Sequence, residues 1–132
     1  MKRILILTVL LGLLGGGTCT PPAPTFSDLK TNVFEPRCGN TAGCHAENPA
    51  RGLDLKVDPY SALLGVSSQA DPSKKYVVAG DPDNSLLLII LQANIDNDDP
   101  ALSARQMPPG FSLPAETVEG VEAWIAAGAL DD

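Results

Sequence analysis

Histidine is almost absent from this chain: His45 is the only one in 132 residues. Multi-histidine metal sites are excluded at once, and with His45 committed to the cysteine cluster no serine or cysteine nucleophile has a base left to partner it. Basic residues are also few. Nine lysines and arginines face sixteen acidic residues, for a formal charge of −7. A chain this acidic is a poor binder of nucleic acid, and solubility is the simplest use of the charge. Aromatic residues make up only 5%, so a chain of this size has little with which to build a core of its own. The longest apolar runs fall well short of the ~20 residues that span a bilayer. Internal repeats are lacking. Asp96-Asn97-Asp98-Asp99 has the acidity of a calcium loop without its glycine and final glutamate, and reads as a solvated turn.

What is present is concentrated. Two of the three cysteines and the lone histidine share eight residues, Cys38-Gly39-Asn40-Thr41-Ala42-Gly43-Cys44-His45. Two thiols can form thioethers with the edge of a porphyrin, and the adjacent imidazole can reach its iron. Met107 is the only methionine besides Met1, in Arg105-Gln106-Met107-Pro108-Pro109-Gly110. The residue before a proline is held extended, so Met107 lies in a stiff loop suited to fixing a ligand. One imidazole and one thioether form the axial pair of an electron-transferring haem. The competing use of the cysteines is a Cys38–Cys44 disulfide, which in the chain-entropy picture stabilises by roughly 2–2.5 kcal/mol. Zinc lacks a convincing fourth ligand.

The first residues predict export. Met1-Lys2-Arg3 is basic, Ile4 to Leu14 is apolar apart from Thr8, and Gly15-Gly16-Gly17-Thr18 is small. That order is a signal peptide over 1–18. Cys19 then stands where a lipoprotein signal puts its lipidated cysteine, although Thr18 occupies a position usually held by a smaller residue. Residues 19–25, rich in proline, read as a semi-extended tether. Without residues 1–18 the chain keeps 7 basic and 16 acidic residues, near −9. Residues 26–132 then form one small domain. The expected location is periplasmic or at the cell surface, anchored by the lipid, in a compartment that permits thioethers and disulfides.

Three helices joined by long loops are predicted. Ser27 is the expected N-cap of the first, with Phe26, Leu29 and Val33 on one face and Pro36 ending it before the cysteines. The second is expected to open at Asp81-Pro82 and run through Leu86-Leu87-Leu88-Ile89-Ile90-Leu91 to Asn94, apolar all round and therefore buried all round. The third is expected from Pro114 to just before Gly128, with a stripe of Val118, Val121, Trp124 and Ile125. The segments from Asn48 to Pro59, Gly65 to Gly80 and Asn94 to Gly110 are read as loops.

With these residues in view, the chain resembles a small single-haem cytochrome c domain of the class I type. The likeness covers most of residues 26–130. It rests on a helix leading into Cys38…Cys44-His45, on Gly80-Asp81-Pro82-Asp83-Asn84-Ser85 opening an apolar helix, on Met107-Pro108-Pro109-Gly110, and on Trp124-Ile125-Ala126-Ala127-Gly128-Ala129. The resemblance implies an all-α fold whose first and last helices cross, wrapped round one haem c. It implies Cys38 and Cys44 as covalent attachment points, His45 as proximal and Met107 as distal iron ligand. It implies redox proteins as partners, one-electron transfer and no enzymatic activity. Tyr60 or Tyr76 could meet the haem edge, and Arg51 or Arg105 its propionates. One departure stands out: the usual motif has two residues between the cysteines and this chain has five, Gly39 to Gly43.

Overall fold

Thr25 starts the first helix. Its hydroxyl accepts from the Asp28 amide at 3.1 Å, and the Asp28 carboxylate accepts from the Thr25 amide at 3.2 Å. This reciprocal box caps α1, Phe26–Leu29. Ser27, the expected cap, lies inside the first turn, and its amide donates to the Asp132 carboxylate at 3.0 Å. The computed structural model describes residues 22–40, 44–46, 49–69, 71–96, 107–109 and 111–132. The leader 1–18, Cys19, Arg105 and the acidic turn at 97–99 lie outside the described residues.

α1 passes without a break into a π-helix, Lys30–Cys38, that contains Pro36. The expectation that Pro36 would end the helix is corrected. A proline ring in an α-helix collides with the carbonyl four residues back. In the wider register bonds reach five residues back, as from the Gly39 amide to the Phe34 carbonyl at 2.7 Å. The helix therefore carries on to Cys38. Phe26, Leu29, Val33 and Phe34 are its buried face.

The described residues hold four α-segments rather than three. The unexpected one, α2 (Pro59–Leu63), begins at an Asp-Pro pair whose Asp58 carboxylate accepts from the Ser61 amide at 3.1 Å. A later Asp-Pro pair, Asp81-Pro82, was expected to open the long apolar helix. It instead opens a 3-10 turn, Pro82–Asn84, and α3 (Leu86–Asp96) starts after Ser85. Ser85 is fully buried, accepting from the Val78 amide at 2.9 Å and donating to the Asp81 carbonyl at 2.8 Å. Leu86, Leu88 and Leu91 of α3 are enclosed, and Leu87, Ile89 and Ile90 are half-buried, Leu87 and Ile90 packed against the core, so the apolar run is covered on more than one face without being sealed all round.

α4, Ala115–Ala126, buries Val118, Val121, Trp124 and Ile125 as the spacing predicted. Gly128 (φ 107°) ends it. The Gly128 amide reaches Ile125 O at 3.0 Å and the Ala129 amide reaches Trp124 O at 2.9 Å, a Schellman closure that only a left-handed residue makes easily.

One apolar core joins these pieces. Phe26 of α1 meets Trp124 of α4 with ring centroids 5.4 Å apart, and Phe34 meets it edge-on at 6.5 Å. Tyr60 meets Phe26 edge-on at 5.1 Å and donates to the Ala129 carbonyl at 3.1 Å. The beginning and end of the domain are thus packed together through aromatic rings. Residues 64–85 are tied by isolated bridges, Leu64 to Val77, Ser67 to Lys75 and Lys75 to Ser85. Among the described residues there is no strand, and their regular structure is all helical. No helix among them is long and apolar enough to cross a membrane.

Candidate functional site

Cys38 occupies the last position of the π-helix, half-buried against the apolar core. Cys44 and His45 are likewise half-buried. Both cysteines are free thiols. The structure brings all three residues together despite the five-residue spacer. The His45 amide donates to the Cys38 carbonyl at 3.1 Å, closing the excursion at its base. The Cys38 thiol is pushed up from 9.0 to about 11, first by burial and then by the nearby Cys44 sulfur, with Arg37 pulling the other way. It is therefore a neutral thiol at neutral pH rather than a reactive thiolate. A sulfur in a covalent C–S or S–S bond carries no charge, so this environment opposes neither bond.

His45 has a fixed ring. Its Nδ1 lies 3.0 Å from the Leu53 carbonyl oxygen. A carbonyl can only accept, so Nδ1 is the donor, and in the neutral ring Nε2 holds the lone pair. Buried carbonyls hold metal-binding imidazoles in this way. The carbonyl is delivered by a tight reversal: Arg51 (φ 55°) and Gly52 (φ 70°) are both left-handed. The Ala50 amide donates to the Cys44 carbonyl at 2.6 Å. Beyond the reversal the Leu55 amide donates to the His45 carbonyl at 2.7 Å, while Leu53 and Leu55 bury their side chains in the core. Asp54 points away, accepting from the Lys56 and Val57 amides at 2.8 and 3.1 Å, which holds its carboxyl below the ordinary range.

Met107 is half-buried, immediately before the buried Pro108, on the segment that leads through buried Leu113 into α4. Of the other residues read from the sequence, Tyr60 gives its hydroxyl to Ala129 and Tyr76 is buried in the core. Arg51 is exposed. Among the described residues no three of His, Cys, Asp and Glu converge as a metal-ligand set. A wide, shallow groove of about 460 Å³ lies beside the π-helix, lined by Thr31, Glu35, Pro36, Gly39, Asn40 and Lys56, and none of the site's three residues lines it.

Sequence reasoning missed the segment Arg51-Gly52-Leu53-Asp54-Leu55. Its signal was visible in the chain: a glycine followed by leucines at alternate positions, the pattern of an extended stretch with one buried face. Comparison with protein families, with curated proteins and with solved structures finds no match to this chain.

Proposed function

We propose that the chain is a c-type cytochrome that carries single electrons between redox proteins. The observation that carries the reading is the setting of His45: Nδ1 is tied to the Leu53 carbonyl, which leaves Nε2 as the donor atom of the neutral ring, with two thiols on the same short segment. The donor set fits haem c. Cys38 and Cys44 would hold the porphyrin by thioethers, His45 would bind the iron through Nε2, and Met107 would supply a second protein ligand. Bound there, the haem would supply a ferrous/ferric couple.

The chain's own residues do the rest. Leu53 fixes the ring orientation of His45 and strengthens the imidazole as a donor through the Nδ1–H bond. The apolar core beside Cys38 would exclude water from one edge of the porphyrin. The packing of α1 against α4 through Phe26, Phe34 and Trp124 holds the helix that ends in Cys38. A thioether ligand raises the potential and favours electron transfer over oxygen chemistry. The signal-like leader and Cys19 fit an exported, lipid-anchored carrier, and the acidic surface fits a basic patch on its partner.

The test is maturation in a host that exports and attaches haem. The expected protein is red, contains one iron and keeps its colour in denaturant. A colourless protein without iron refutes the reading. If that protein also weighs two hydrogens less than its reduced chain, the cysteines form a disulfide and the domain is a haem-free binding or structural module.

A further inference from the structure

Closing a loop costs chain entropy, so a spacing of five residues does not by itself hold Cys38 beside Cys44 and His45. Something else must fix both ends. Gly39 is buried, and a Cβ placed on it would lie 2.7 Å from Leu55 O, 3.0 Å from Leu55 C and 3.1 Å from Lys56 Cα. All three are backbone atoms, which cannot swing aside. The same Leu55 donates its amide to the His45 carbonyl at 2.7 Å, and two residues earlier Leu53 accepts from His45 Nδ1 at 3.0 Å. Arg51–Leu55 therefore touches the Cys38 end of the spacer on one side and the His45 end on the other. It is itself anchored by the buried side chains of Leu53 and Leu55.

We infer that Arg51–Leu55 is a strap that replaces spacer length as the device holding the two thiols and the imidazole in register, and that Gly39 is the positioning residue on which it seats. This deepens the haem reading, since it names what lets a widely spaced pair act as one attachment site. Gly39 is needed for closeness, not for backbone freedom. Gly52 is needed at the other end, where its positive φ turns the strap and the Gln69 carboxamide packs against it.

The experiment uses the full chain carrying Cys19→Ser, made without haem. Glutathione disulfide oxidises Cys38 and Cys44 to their disulfide, yielding two glutathione thiols, and the equilibrium constant reports how closely the pair is held. Gly39→Ala, by overpacking against backbone, and Gly52→Ala, by forcing a side chain onto a left-handed φ, should each lower it roughly tenfold or more, while exposed Asn40→Ala should stay within about twofold. A folded glycine variant with the parent constant, or an Asn40→Ala as damaging as Gly39→Ala, overturns the strap. If the glycine variants do not fold, amide exchange in the parent decides. The His45 and Leu55 amides should be protected as well as the core amide of Val77, and exchange near the free-peptide rate overturns the inference. None of these readouts involves haem, so an absence of iron in exported protein would refute the cytochrome and leave the strap standing.

Discussion

Trp124→Ala is the sharpest probe of how this domain holds its site. The indole is enclosed, 2% exposed, between Phe26 at 5.4 Å and Phe34 at 6.5 Å. Its Nε1–H donates to the Leu130 carbonyl at 3.0 Å. Replacing a buried tryptophan by alanine costs about 3–5 kcal/mol in transfer and cavity terms. The lost hydrogen bond adds little, because Leu130 is exposed and its carbonyl regains water. Small domains are stable by about 5–15 kcal/mol, so the variant should fold marginally. Urea unfolding of the haem-free protein, followed by far-ultraviolet circular dichroism, measures the change. A double-mutant cycle with Phe34→Ala should return a coupling of about 0.5–1.5 kcal/mol for the ring pair. Phe34 is four residues before Cys38 on one helix, so the same variant should quicken alkylation of Cys38. A loss under about 1 kcal/mol at unchanged urea sensitivity would refute the aromatic clamp, because an enclosed indole cannot be removed so cheaply.

Three further outcomes follow from the same contacts. Ser85→Ala strips the buried hydroxyl shared by the Val78 amide and the Asp81 carbonyl and should cost about 1–3 kcal/mol in the same urea assay. The Asp132 carboxyl is held below its ordinary range, chiefly by the Ser27 amide. A lowered folded pKa means that its stabilisation is present above the ordinary carboxylate pKa and lost as pH falls through the lower folded value. Asp132→Asn should therefore lower the urea midpoint near pH 7, and the gap to the parent should close in acid; a gap independent of pH contradicts the assignment. In the matured protein, Met107→Ala should abolish the low-spin six-coordinate visible spectrum, and an unchanged spectrum removes Met107 from the iron.

Much of the helical content was legible in the chain because local signals and the core agreed. Val118, Val121, Trp124 and Ile125 recur at helical spacing, and Gly128 sits where a helix must reverse. The first apolar face, Phe26 with Leu29 and Val33, was equally plain. The misreadings share one cause, a local rule outweighed by packing. Pro36 breaks an α-helix but is carried by a π-register that keeps Phe34 in the core and delivers Cys38. Asp81-Pro82 has the chemistry of a helix start, yet the turn it opens closes at buried Ser85, whose hydroxyl bonds the Asp81 carbonyl, and the helix begins only after it.

The amino-acid sequence alone determined the chemistry on offer: two clustered thiols, one imidazole, one internal thioether, and no second histidine to give any other use. Side-chain chemistry is a property of residues and needs no fold to be read. Only the tertiary structure decided that a five-residue spacer still brings Cys38 to His45, that the imidazole proton sits on Nδ1, and that Gly39 must lack a side chain. Each of these depends on Leu53 and Leu55. They lie eight and ten residues beyond His45, and the core, through their own buried side chains, presses them against the site.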